Sequence, residues 1–315
     1  MKSNKILYLF LSLVVLTASC KDTFLEEKKD YTGFNEQVFQ EASLAQGYVD
    51  YVYGMFLPAN NGTPNIQNQA ASDNGTYNSL FTQTSDELGG ETDWNREWPQ
   101  ISYQNNNALK YFAQRLPNSV ANNTWTRMKE INIFIQEIDK HGLAEDIRNK
   151  LKGQMYFWRA WQYFELVRLY GGVPLVLVPQ DPILESGSSN EIQRSSTSEC
   201  IAQITKDLDM AISLLPGKWT GVDVGRITSG AAAALKGRVL LTWASPLFNR
   251  TDDRTRWEQA YQANLAAKTL LESNGFGLFK EGGTANGVAW GNMFTRDNSI
   301  ESVFAFGFNA LTTGN

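Results

Sequence analysis

An all-α fold of paired helices, with long loop insertions and few short strands, is what this sequence predicts, and three observations predict it. Apolar residues recur every three to four positions through most of the chain, the spacing of a single helix face. Capping residues and helix-ending Pro or Gly bracket those stretches. Small residues gather in one of them, where neighbouring helices can approach closely.

The first periodic stretch follows Asn35, a residue suited to capping. Val38, Ala42, Ala45, Val49, Val52 and Phe56 then form one continuous face, which Pro58 ends. Residues 60–90 are rich in Asn, Gln, Ser, Thr and Gly without a period, a loop of a length that is commonly functional. A helix is predicted over 125–140, with Met128, Ile131, Ile135 and Ile138 on one side. The next, over 145–170, carries Leu151, Met155, Trp158, Trp161, Phe164 and Val167 almost all round and so belongs inside a larger helical body. Gly171 and Gly172 stop it, and Pro174 and Pro179 hold the following residues extended.

After a polar linker, Ser196 and Glu199 make a capping box for a helix bearing Ile201, Ile204, Leu208, Ala211 and Leu215, closed by Pro216. Thr228 opens a helix rich in Ala and Gly that ends before Pro246. Thr255 and Glu258 predict a second box and a helix with Trp257, Tyr261 and Leu271. The alternation over 302–308 predicts a strand. Helix pairs in this order describe a degenerate tetratricopeptide-like solenoid, without the strict repeat of about 34 residues.

Composition narrows the chemistry. The 315 residues are 42% hydrophobic and 12% aromatic, with 9 Trp, which suits an ordered globular body. The net charge of -5, with no Lys/Arg stripe, argues against a nucleic-acid partner. One histidine, His141, and one internal cysteine, Cys200, are too few for zinc sites or for Ser-His-Asp or Cys-His catalysis. Both read as structural, His141 at a helix end before Gly142 and Cys200 as a small buried hydrophobe. No metal or cofactor is expected.

Residues 1–19 read as a signal peptide: Lys2 and Lys5, an apolar run over 6–16, then small residues ahead of Cys20. The stretch resembles a lipoprotein cleavage site, although Thr17 stands where a leucine is usual. Cys20 is therefore expected to carry the lipid, with 20–33 as attachment and tether. The acidic residues just after it suit either a solvated tether or a surface-export signal.

The segment 153–175 resembles the signature of the SusD/RagB family: Phe157, Arg159, Ala160, Tyr163, Phe164, Leu166, Val167, Tyr170, Gly171, Gly172, Val173 and Pro174 stand at the signature positions. Further likeness runs through 94–107, 125–139, 204–216, 225–228, 257–271 and 301–304. The resemblance implies an SusD-like helical domain over 34–315, truncated at its C-terminus. It also implies a non-catalytic, lipid-anchored protein of the outer membrane, exposed at the cell surface. Such a protein would bind oligosaccharides and deliver them to a SusC-like TonB-dependent transporter. Arg159, Glu165 and Arg168 read as a buried polar network holding helix pairs.

A sugar presents C–H faces and a hydroxyl rim, so its binder needs exposed aromatic planes beside polar side chains. Trp94, Asn95, Arg96 and Trp98 bring these within five residues, and Tyr77 and Trp290 are further ligand-binding candidates. The two Trp of the first group read equally well as plugs of the core. Two rivals stand beside glycan binding. One is a peptide-binding or adaptor helical-repeat lipoprotein. The other is a glycoside hydrolase using Asp86, Glu87, Glu91 or Asp93, a role that loop spacing cannot establish.

Overall fold

A computed structural model of the chain describes residues 36–56, 124–180, 192–296 and 299–305. The helices in these residues are α1 (Ala42–Phe56), α2 (Thr124–Glu137), α3 (Glu145–Tyr170), α4 (Thr197–Leu214), α5 (Ser229–Ala244), α6 (Arg254–Ser273) and the short α7 (Val288–Met293). From α2 to α6 each helix packs chiefly on the next in sequence, and α1 lies against α2 and α3. That nearest-neighbour order is the logic of a helical solenoid. The expected all-α class holds, and among the described residues no helix is long and apolar enough to cross a membrane.

α3 is the axis of the core and occupies the span its periodicity predicts. Leu151, Met155, Phe157, Trp158, Tyr163, Phe164 and Val167 are buried along it. Trp158 stacks on Phe56 of α1, with ring centroids 4.3 Å apart and planes 12° from parallel. A second aromatic cluster joins Phe39, Tyr48 and Phe134. Its neighbour His141 stacks on Phe39 at 5.6 Å, and its Nε2 lies 3.3 Å from Glu137 Oε2.

Local chemistry sets the boundaries. The Ser196 hydroxyl accepts from the Glu199 amide at 3.3 Å while the Ser196 amide donates to the Glu199 carboxylate at 2.7 Å, the expected box at the start of α4. Thr228 Oγ1 accepts from the Ala231 amide at 3.1 Å and opens α5. α6 departs from expectation: its cap is Asp253, which accepts from the Thr255 amide at 2.9 Å. Its carboxylate stands one residue before the helix and takes the role expected of Thr255.

α6 buries a face of small residues. Ala260 and Ala267 are inside, whereas Trp257 and Tyr261 are 38% and 61% exposed. Alanines let α6 approach α5 more closely than rings would, and the aromatic side turns outward. Leu271 packs inward, over Gly230. At the other end of the body, the continuous helix expected from Asn35 divides into a 3-10 turn (Glu36–Phe39) and α1, with Phe39 buried and Val38 only partly so. The expected strand over 302–308 is irregular where it is described, at 302–305.

Candidate ligand-binding surface

The signature residues are structural. The Arg159 guanidinium lies with its Nε 2.8 Å and Nη2 2.7 Å from the two Asp207 carboxylate oxygens, and its Nη1 donates to Asn132 Oδ1 at 2.9 Å. One side chain of α3 thus ties α2 to α4. Burial works to lower the Arg159 pKa; the hydrogen bonds and charge of Asp207 outweigh it and hold the group above its ordinary value. Glu165 and Arg168, expected in the same network, instead form a pair at 2.8 Å within α3 and do not reach Asp207. The three-residue spacing that places them on one helix face is enough to bring them together.

The turn after α3 explains its two glycines. Gly171 has φ 68° and ψ -127°, a conformation that side chains oppose. At Gly172 a Cβ would lie 2.0 Å from the Ser195 carbonyl oxygen, so the chain entering α4 passes against bare backbone. Arg194, unremarked in the sequence, donates to the carbonyls of Tyr170 and Gly172 and satisfies the end of α3. Cys200 is buried beneath this turn, with the Val173 amide 3.4 Å from its Sγ, and burial raises its thiol pKa.

Of the residues expected to hold a ligand, Trp290 is described. Trp94, Asn95, Arg96, Trp98 and Tyr77 lie outside the described residues, as do Cys20 and the carboxylates Asp86, Glu87, Glu91 and Asp93. Trp290 stands on α7, 69% exposed, beside Phe294, which is 68% exposed. Their centroids are 4.9 Å apart and their planes 76° from parallel, so the rings meet edge to face in an exposed corner. Phe294 was missed, yet it stands four residues on, the spacing of one helix face.

The corner is fixed from below. Ala289 is buried, and its amide donates to the Gly283 carbonyl at 2.9 Å. Asn292 Nδ2 donates to the Glu281 carbonyl at 3.3 Å, and Arg296 pairs with the Glu281 carboxylate. Two apolar ring surfaces with an amide, a guanidinium and a carboxylate close by can stack on a C–H face and bond to a hydroxyl rim. Among the described residues no group of three or more His, Cys, Asp or Glu could hold a metal ion.

Residues 23–241 match the family model SusD-like_3, described as starch-binding and associating with the outer membrane. No curated protein matches the chain. Similar solved structures include a SusD-like protein from Bacteroides fragilis: 22% identity, TM-score 0.61, 88% of this chain and 46% of that one covered. A SusD superfamily protein from Bacteroides thetaiotaomicron is 17% identical with a TM-score of 0.53, covering 87% of this chain and 54% of that one. A SusD-like carbohydrate binding protein from Bacteroides vulgatus is 16% identical with a TM-score of 0.51, covering 76% and 46%. The chain thus spans about half the length of these structures.

Proposed function

This chain belongs to the SusD-like family, and on that footing we propose that it binds nutrient oligosaccharides at the outer membrane and hands them to a SusC-like TonB-dependent transporter, without catalysis. The observation that carries the reading is the family match over 23–241, which includes the whole signature helix and its turn. The exposed corner of Trp290 and Phe294 supports a sugar-stacking surface, with Trp94, Asn95, Arg96, Trp98 and Tyr77 as its further proposed contacts. A lipid at Cys20 would hold the protein at the membrane, since each buried methylene contributes ~0.8 kcal/mol and several chains make the anchor effectively permanent.

The test is calorimetric titration of the purified chain with a panel of malto-oligosaccharides and non-starch glycans, followed by chromatography of the ligand. Saturable heat with an unchanged ligand supports the reading. Binding of peptides and of no glycan would favour the adaptor role, and shortened products would favour a hydrolase. Fractionation of cells expressing Cys20→Ala tests the anchor, which predicts release from the membrane.

A further inference from the structure

Among the described residues an asparagine precedes a glycine twice, at Asn274–Gly275 and at Asn286–Gly287, and the fold treats the two pairs differently. Asn274 caps the end of α6, where its Nδ2 donates to the Leu270 carbonyl at 2.8 Å and lies 3.4 Å from Ser273 Oγ. Its carboxamide also packs on the bare backbone of Gly217, where a Cβ would stand 1.9 Å from Asn274 Oδ1. Asn286 stands in the exposed turn that leads into α7, and its carboxamide makes no hydrogen bond with any described residue. A Cβ at Gly287 would meet nothing within 4 Å, so its amide nitrogen has open space beside it.

We propose that Asn286 is a site of spontaneous covalent modification, converting to aspartate and isoaspartate without any enzyme. The Gly287 main-chain nitrogen attacks Asn286 Cγ, the bond from Cγ to Nδ2 breaks, and the departing group takes the Gly287 amide proton and leaves as ammonia. The product is a cyclic succinimide, and water is the co-reactant that opens it. Addition of water at the Cγ carbonyl restores a normal main chain with an aspartate. Addition at the main-chain carbonyl gives isoaspartate and lengthens the main chain by one methylene. Glycine permits the attack because it has no side chain to shield its amide. Ring closure needs the Asn286 ψ to swing from its 23°, and a carboxamide with no bond to break can follow that swing. At Asn274 the same swing would pull the carboxamide off the Leu270 carbonyl and away from Gly217.

The two products differ in what they do to α7. Asn286 has φ 53° and Gly287 φ 73°, and the left-handed region accepts Asp as it accepts Asn. Aspartate therefore fits the turn and only adds a negative charge to a chain whose net charge is already -5. Isoaspartate does not fit. The Ala289 amide closes the turn on the Gly283 carbonyl at 2.9 Å, and an extra methylene between them breaks that register. Trp290 rides on α7, so the modification sits at the root of the aromatic corner, yet the inference does not rest on what that corner binds.

Trypsin places the two pairs in separate peptides, 269–280 and 281–296. The full chain, held folded in mildly alkaline buffer, should yield a 281–296 peptide that gains one dalton with time and splits into two chromatographic forms. Tandem mass spectrometry should place the gain at Asn286 and not at Asn292. The 269–280 peptide should stay unmodified in the folded chain and convert alongside 281–296 in urea. Asn286→Gln, whose longer side chain disfavours ring closure, should hold its mass. Hydrogen exchange at the Ala289 amide should quicken in the isoaspartyl form and stay slow in freshly made Asn286→Asp. An Asn286 that survives in the folded chain while it converts in urea would overturn the proposal. So would conversion of Asn274 at the same rate without denaturant, and an Ala289 amide indifferent to isoaspartate would overturn the effect on α7.

Discussion

The Tyr163 hydroxyl engages both backbone groups of Val176: it accepts from the amide at 2.7 Å and donates to the carbonyl at 3.0 Å. Asn132 Nδ2 adds a second bond to that carbonyl at 2.9 Å. Pro174 and Pro179 deny the segment two amides a strand would use, and side chains from α2 and α3 take the place of a neighbouring strand. The same two helices supply Asn132 and Arg159 to the network with Asp207, so one set of polar contacts joins α2, α3, α4 and the extended segment.

Tyr163→Phe should therefore cost ~0.5–1.5 kcal/mol, the range for losing a hydrogen bond at a part-buried site, because the Val176 amide loses its acceptor while the carbonyl keeps Asn132. Urea unfolding measures the loss. Hydrogen exchange should quicken at Val176 and not in the middle of α3. An unchanged midpoint would mean that water replaces the hydroxyl without penalty.

Gly172→Ala should be more damaging than a typical glycine substitution. Its Cβ meets the Ser195 carbonyl oxygen at 2.0 Å, and backbone cannot swing aside as a side chain can. Overpacking of this kind costs ~1–3 kcal/mol or more. Thermal melting should show a clear drop, whereas Gly47→Ala, where a Cβ meets nothing within 4 Å, should not.

Much of this fold is legible in the sequence because its signals are local. The span of α3, the Ser196 box and the Thr228 cap each depend on residues within a turn or two of one another. The partner of Arg159 is not local: Asp207 is 48 residues away and lies among the apolar residues of α4, where only three-dimensional packing reveals its purpose. The buried face of α6 is likewise set by packing. Hydrophobicity favours Trp257 and Tyr261, but the closeness of α5 favours Ala260 and Ala267. At the candidate site Trp290 is recognisable by residue type, while its pairing with Phe294 needs the short helix to exist.

Breaking the Arg159–Asp207 pair from either side should be strongly destabilising. The two side chains are 7% and 1% exposed, so Arg159→Met or Asp207→Leu leaves a buried charge without its partner, at a cost of ~3–5 kcal/mol. The double variant should recover much of that loss, because the desolvated pair is replaced by apolar volume. Denaturant unfolding of the four proteins gives the coupling, and simple additivity would contradict it.

Glu199 should give the chain a specific acid sensitivity. Hydrogen bonds from the Ser196 hydroxyl and amide hold its carboxyl below the usual carboxylate range. A group lowered in the folded state contributes stability above its unfolded pKa of about 4.3, and that contribution disappears as pH falls through the lower folded value. Glu199→Gln keeps an acceptor but cannot ionise, so its stability should fall less steeply than that of the parent as pH drops below about 4.3. Parallel slopes for the two proteins would remove Glu199 from the account.

The exposed corner on α7 offers the sharpest test of ligand binding, because there affinity and stability should part. Trp290 and Phe294 keep 69% and 68% of their surface open, so truncating them removes little that the fold has buried. If they stack on a sugar, each lost contact is on the order of 1.5–3 kcal/mol of apolar burial. By the affinity relation that is roughly tenfold to a hundredfold in Kd for each ring. Trp290→Ala, Phe294→Ala and the double variant should therefore weaken glycan binding stepwise at constant melting temperature. The double variant Trp94→Ala with Trp98→Ala is the companion experiment, since those residues are the other proposed contacts. If that pair alone abolishes binding and the α7 variants leave Kd unchanged, the α7 corner is not part of the sugar site. If the α7 variants lower the melting temperature instead, the two rings hold α7 in place, and their exposure has another meaning.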